Sequence, residues 1–290
     1  MSTSSVTPSA AGAEAITLSR PEAVLRILTA LIAATCSTAG LVDPDQYRPV
    51  LSAAVLPGAL GQDAAALVLS VLLLVATARR RPADRLTLPA LAFIAYGYGI
   101  YSVERTVTVW YIAYLAALAC ATWALLIGAA RGLRTATTRA PLGGARRVMV
   151  AALCGLTSVA FSVAWLSALW PYARSSRQPT ELWSIYLMDL CFVMPALGIA
   201  SWWTWRRDAR GRALGTLMTG LGALMMASLS LAEVCGPLAG LPAQPIAALP
   251  TLVLTGAFAS GWVMLHHEGA RVKAVASEQL AVAEAQRSTR

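Results

Sequence analysis

The sequence predicts an all-α fold, a polytopic membrane bundle of eight transmembrane helices with the N-terminus and C-terminus both cytoplasmic. Three observations predict it. The 290 residues are 57% hydrophobic and 13% charged, with a mean hydropathy of +0.62, whereas soluble domains carry about 25% charged residues. Apolar runs recur along the chain, most of them about 20 residues long, the length at which a helix crosses a bilayer core. The basic residues cluster in alternate links between those runs, 19 of the 23 falling on one side if every run crosses. Such a bias marks the cytoplasmic side.

The elements follow in order. Residues 1–19 are rich in Ser, Thr and Ala and lack a hydrophobic pattern, which predicts a disordered cytoplasmic tail. The membrane domain covers residues 20–266. Its spans are expected over Ala23–Val42, Gly58–Ala78, Leu86–Val103, Val107–Ala130, Val148–Trp170, Glu181–Trp205, Ala213–Gly236 and Pro245–His266. In the first, Arg20 and Arg26 precede an apolar run as in a secretory signal, but the run continues past Cys36 to Val42, long enough to span. Residues 267–290 are Ala-rich with scattered charges and read as a cytoplasmic helical tail. Helices are expected because a lipid-exposed backbone must satisfy its hydrogen bonds internally, and no alternating barrel pattern is present. With Lys273 as the sole lysine and abundant Ala, Leu and Val, the composition suggests a GC-rich bacterial genome and a multi-pass protein of the inner (plasma) membrane.

Sorted by this topology, all eight tyrosines fall on the outer side, whereas tryptophans mark both faces as an ordinary aromatic belt does. Tyr96 and Tyr114 lie deeper than a belt, where a hydroxyl needs a partner or water. The carboxylates collect on the same side. Asp63, preceded by Gln62, enters the second span and Asp189 the sixth; Glu104 and Glu233 end the third and seventh. Charge inside a membrane is costly and is commonly paired or functional. Two readings stay open for the aspartates: compensation by the positive end of a helix dipole, or a polar cavity open to the outside. Glu104 beside Arg105 reads as an exposed ion pair. Glu233, near a helix C-terminus, calls for a partner such as Arg105. Pro195 predicts a kink just inward of Asp189. The paired placement of Asp63 with Glu104 and Asp189 with Glu233 hints at two parallel four-helix halves.

Other classes are excluded or unsupported. The net charge of +9 is explained by topology and not by nucleic acid. The chain contains no phosphate loop, no GxGxxG, no HExxH and no CxxC, and its five cysteines read as small buried hydrophobes. No metal site, catalytic set or cofactor is expected. The stretches GALGQDAAALVLSVLLLVATARRR, LAFIAYGYGIY and YLMDLCFVMPAL resemble a family of uncharacterised bacterial multi-pass membrane proteins of about eight helices. The likeness covers residues 55–130 and 180–235. It departs at SVERTVTV, where those relatives have a longer link with a small polar turn, and it implies architecture and no activity.

Three functions fit. The first is a non-enzymatic membrane protein with a tyrosine-lined outer pocket that binds or moves a small molecule, lipid or proton-coupled solute. Gln62, Asp63, Tyr96, Tyr98, Tyr101, Tyr114, Tyr186, Asp189 and Glu233 would contact that ligand. The second is a membrane enzyme acting on a lipid or isoprenoid, with Asp189 and Glu233 as acid and base. The third is an assembly subunit whose polar groups serve helix packing. The partners expected are the lipid bilayer and such a ligand; oligomeric state is left open.

Overall fold

The chain folds as apolar helices whose ends meet in pairs. The computed structural model describes residues 18–79, 84–136, 142–176, 179, 183–238, 240 and 249–265, and among them no strand occurs. The helices are α1 (Arg20–Val42), α2 (Leu56–Ala78), α3 (Asp84–Val103), α4 (Tyr111–Ala136), α5 (Gly144–Ser175), α6 (Trp183–Trp205), α7 (Ala209–Leu238) and α8 (Leu249–Leu265). The first seven are long and apolar enough to cross a membrane, and α8 is a shorter apolar helix. This is a multi-pass membrane bundle. The expected spans map onto these helices in order. The largest shift is at α4, which starts at Tyr111 instead of Val107 and runs on to Ala136. The predicted tails, apart from Leu18 and Ser19 at the start of α1, and the expected span ends Glu181, Pro245 and His266 lie outside the described residues.

Local chemistry sets the helix ends. Ser19 caps α1 by accepting the Glu22 backbone N–H at 3.4 Å, with Pro21 in the first turn, where its missing donor costs nothing. α6 ends in a Schellman turn: Asp208 N–H reaches Trp203 O at 2.9 Å, and Arg207 takes a left-handed φ of 59°.

Neighbouring ends show that α4 runs antiparallel to α1, and α8 to α7. Arg131 at the end of α4 pairs with Glu22 at the start of α1. Arg212 at the start of α7 donates to Leu265 O at the end of α8, at 3.1 Å. The bundle therefore has an arginine end and a tyrosine end.

Packing centres on α3, 72% of whose span is buried, against 17% for the peripheral α5. One face of α3 sends Leu91, Ile94, Tyr98 and Tyr101 into a core shared with α1, α2 and α4. The other sends Phe93 and Tyr96 into a core with α6, α7 and Phe258 of α8. α2 lies along α7, α5 along α6, and α6 along α7. The α2–α7 crossing is close because Gly61 faces the backbone of Ser228 and Ala232. With apolar lipid as the competing solvent, such close approach and van der Waals contact hold the helices together.

A Gly61→Ala substitution is expected to lower the thermal midpoint in detergent, with a loss of about 1–3 kcal/mol from overpacking. Gly58→Ala, where an added Cβ meets nothing within 4 Å, should leave the midpoint unchanged.

Candidate functional site

Polar groups inside the bundle gather at three places. The first surrounds Asp63, two turns into α2. The 3-10 turn Pro44–Tyr47 after α1 carries Tyr47 back into the bundle, where its hydroxyl donates to Asp63 Oδ2 at 2.7 Å. Asp63 is 1% exposed and Tyr47 fully buried. Gly40 of α1 leaves the space for both: a Cβ there would collide with the carboxylate and the phenol. One turn earlier on α1, Ser37 Oγ and Tyr98 Oη lie 3.2 Å apart, and the same phenol donates to Ala33 O at 3.1 Å. Tyr101 donates to Ala59 O at 3.2 Å, one turn before Asp63.

The rings of Tyr47, Tyr98, Tyr101 and Tyr114 close on one another, with centroid separations of 5.3–5.9 Å. Tyr114 is fully buried, with Thr108 Oγ1 at 3.2 Å from its hydroxyl. These rings thus pack as a buried cluster, where the sequence predicts a lining open to the outside.

The second place surrounds Asp189. Tyr96 Oη of α3 donates to its Oδ1 and Trp165 Nε1 of α5 to its Oδ2, each at 2.7 Å. Asp189 is 4% exposed. The carboxylate thereby joins three helices. It opens a π-helical turn, Asp189–Val193, closed by the Met194 N–H on Asp189 O. Pro195 explains the wide turn, because its ring would clash with a carbonyl in regular α geometry and it has no N–H to donate. Ser158 of α5 donates to Met194 O at 2.7 Å, serving a carbonyl beside the distortion. The kink expected from Pro195 is therefore an enlarged turn. Tyr186 stacks edge-on against Trp165 at 5.2 Å.

The structure thus separates the predicted residues. Tyr98, Tyr101 and Tyr114 lie with Asp63, while Tyr96 and Tyr186 lie with Asp189, because positions 96 and 98 point about 200° apart on a helix. Gln62 packs against Gly97 of α3. Glu233 is half-buried on α7 and is not a partner of Asp189. Glu104 does not pair with Arg105. It accepts the Ser184 backbone N–H at 2.8 Å and so caps the start of α6. Among the described residues, the hydrogen-bond partners of both aspartates are uncharged.

The third place is at the arginine end. Glu22, fully buried, is bound by Arg26 at 2.6 Å and by both terminal nitrogens of Arg131, one of them at 2.9 Å. The sequence carried one signal for it, a Glu followed four residues later by an Arg, which are neighbours on one helix face. Other groups missed from sequence are Tyr47, Trp165 and Ser158, whose partners are distant in the chain.

No group of three His, Cys, Asp or Glu side chains able to hold a metal occurs among the described residues. A shallow depression of about 470 Å³ on the tyrosine-end half of α1, beside Trp110, is lined by none of the predicted site residues. No family model, curated protein or solved structure matches the chain.

Tyr96→Phe and Trp165→Phe should each lower stability by about 1–3 kcal/mol, the cost of removing a donor from a buried carboxylate. In an Asp189→Asn background the Tyr96→Phe penalty should shrink, and a double-mutant cycle from thermal or denaturant unfolding reads the coupling.

Proposed function

We propose that this is a non-enzymatic protein of the bacterial inner membrane that binds or translocates a small molecule, lipid or proton-coupled solute through its tyrosine end. Asp63 and Asp189 are its polar anchors. The observation that supports it is the uncharged donor set around each carboxylate. A carboxylate serving packing alone is costly in such surroundings, and an anchor for a proton or cationic group needs a site without a resident cation. In this reading the buried rings belong to a closed form of the protein. Tyr98, Tyr101 and Tyr114 seal Asp63, and Tyr96 and Tyr186 flank Asp189, with Gln62 and Glu233 completing the ligand contacts when the end opens. The eight helices all cross, with both termini cytoplasmic, in keeping with the arginine count. The resemblance of the Asp63 and Asp189 stretches to bacterial multi-pass proteins belongs to the same reading.

The test uses protons as the probe. Purified chain in liposomes loaded with a pH-sensitive dye is expected to carry protons down an imposed gradient. Asp63→Asn and Asp189→Asn should reduce that flux to the protein-free leak. Flux from folded variants equal to that of the unaltered chain, or no flux from any of them together with no effect of either substitution on ligand-library stabilisation, removes the reading.

A second reading is favoured by the completeness of tyrosine burial: an assembly subunit whose polar groups only lock helices together. It predicts a stoichiometric partner retained through purification in mild detergent.

A further inference from the structure

The arginine end carries guanidinium groups that the bundle holds in place without using. Arg206 lies over the ring of Trp202, 4.3 Å from its centroid, and Arg147 of α5 lies over Trp205 at 5.6 Å. Stacking fixes a guanidinium by its face and leaves its N–H edge available for a bidentate anion. Among the described residues the side chains of Arg206 and Arg207 make no hydrogen bond or ion pair, and the buried Nε of Arg147 has no partner, which leaves its terminal nitrogens to face outward.

The nearby carboxylate is already taken. Arg210 binds Asp208 through contacts of 2.7–3.1 Å. These hydrogen bonds hold the Asp208 carboxyl below the usual carboxylate range, so it stays charged and committed to Arg210. Among the described residues no carboxylate pairs with Arg147, Arg206 or Arg207.

Two further features point the same way. Arg207 occupies the left-handed position of the Schellman turn, which favours glycine because a side chain there is strained. Holding an exposed arginine at that point costs helix-end stability. Below the cations the surface turns apolar at once: Trp202, Trp205, Ile199 and Val148 are exposed. A positive rim directly above an apolar helix face matches one amphipathic partner, a phosphate on an acyl chain.

We infer that Arg147, Arg206 and Arg207, at the α5–α6 end, form a binding site for the phosphate of an anionic phospholipid whose chains lie along α5 and α6. The site is separate from the two aspartates and does not depend on their role.

The experiment uses the full chain in bilayer discs of phosphatidylcholine and phosphatidylglycerol, with retained lipids read by native mass spectrometry. The unaltered chain should retain phosphatidylglycerol preferentially. Arg206→Gln should reduce that preference about fivefold, and with Arg147→Gln roughly 25-fold, on the scale of each arginine near an anionic surface. Arg207→Gly should also reduce it about fivefold while raising the thermal midpoint in pure phosphatidylcholine. A purely structural arginine would not combine those two effects. Arg174→Gln, exposed on α5 at the opposite end, should change nothing. Equal retention of both lipids by the unaltered chain overturns the site, and that arm requires no variant to fold. An unchanged preference in Arg206→Gln and Arg207→Gly, or displacement of the lipid by millimolar inorganic phosphate, overturns it as well.

Discussion

A carboxylate buried inside this bundle is cut off from bulk solvent, so donors from other parts of the chain must take the place of its hydration. That constraint organises the structure more than apolar packing does, because apolar side chains are equally content against lipid. The two buried aspartates show it most clearly. Asp189 can lie between helices only because Tyr96 and Trp165 arrive from two sides with one donor for each oxygen. Meeting that need fixes α3, α5 and α6 relative to one another in rotation as well as in distance. Asp63 makes the same demand of Tyr47, and thereby pins the link between α1 and α2 back against the helices it joins.

The polar contacts also divide the labour between the two ends. At the tyrosine end neutral donors meet the buried carboxylates. At the arginine end opposite charges meet directly, in the buried Glu22–Arg26–Arg131 cluster. A buried ion pair contributes less to stability than its geometry suggests, since desolvation offsets most of the attraction. Its firmer contribution is to position: Glu22 ties the first turn of α1 to the last turns of α4. Glu104 does comparable work at the other end, where a carboxylate of one half of the chain terminates a helix of the other.

Much of this architecture was legible in the sequence, because length and hydropathy alone define where a membrane helix starts and stops. The span expected over Gly58–Ala78 matches a helix over Leu56–Ala78, and the sequence pattern puts Asp63, Asp189 and the tyrosines at a common end. Neighbours were not legible. In a soluble helix the apolar face reveals the core, but here both the lipid face and the core face are apolar, so periodicity carries little information about which side turns inward. The pairing of Tyr96 with Asp189, 93 residues apart, leaves no local trace. Tyr47 was hidden for another reason: it lies outside every apolar run, in a short turn that folds back. The enlarged turn at Asp189 was half visible, since Pro195 announced a disturbance without its form.

That turn bears on how the helix tolerates length changes. A π-helical turn accommodates one residue more than regular α geometry. Removing one residue from Asp189–Val193 would take out the widening and leave the helix beyond Met194 facing as it does, at the cost of setting the Pro195 ring against a carbonyl. The same deletion from a regular turn would rotate everything beyond it by about 100°. Ser201, which donates to Ala151 O at 2.7 Å, would keep its place against α5 only in the first case. The extra residue is therefore slack in the chain length of α6, and this turn is the one place in the helix where losing a residue does not change its phase.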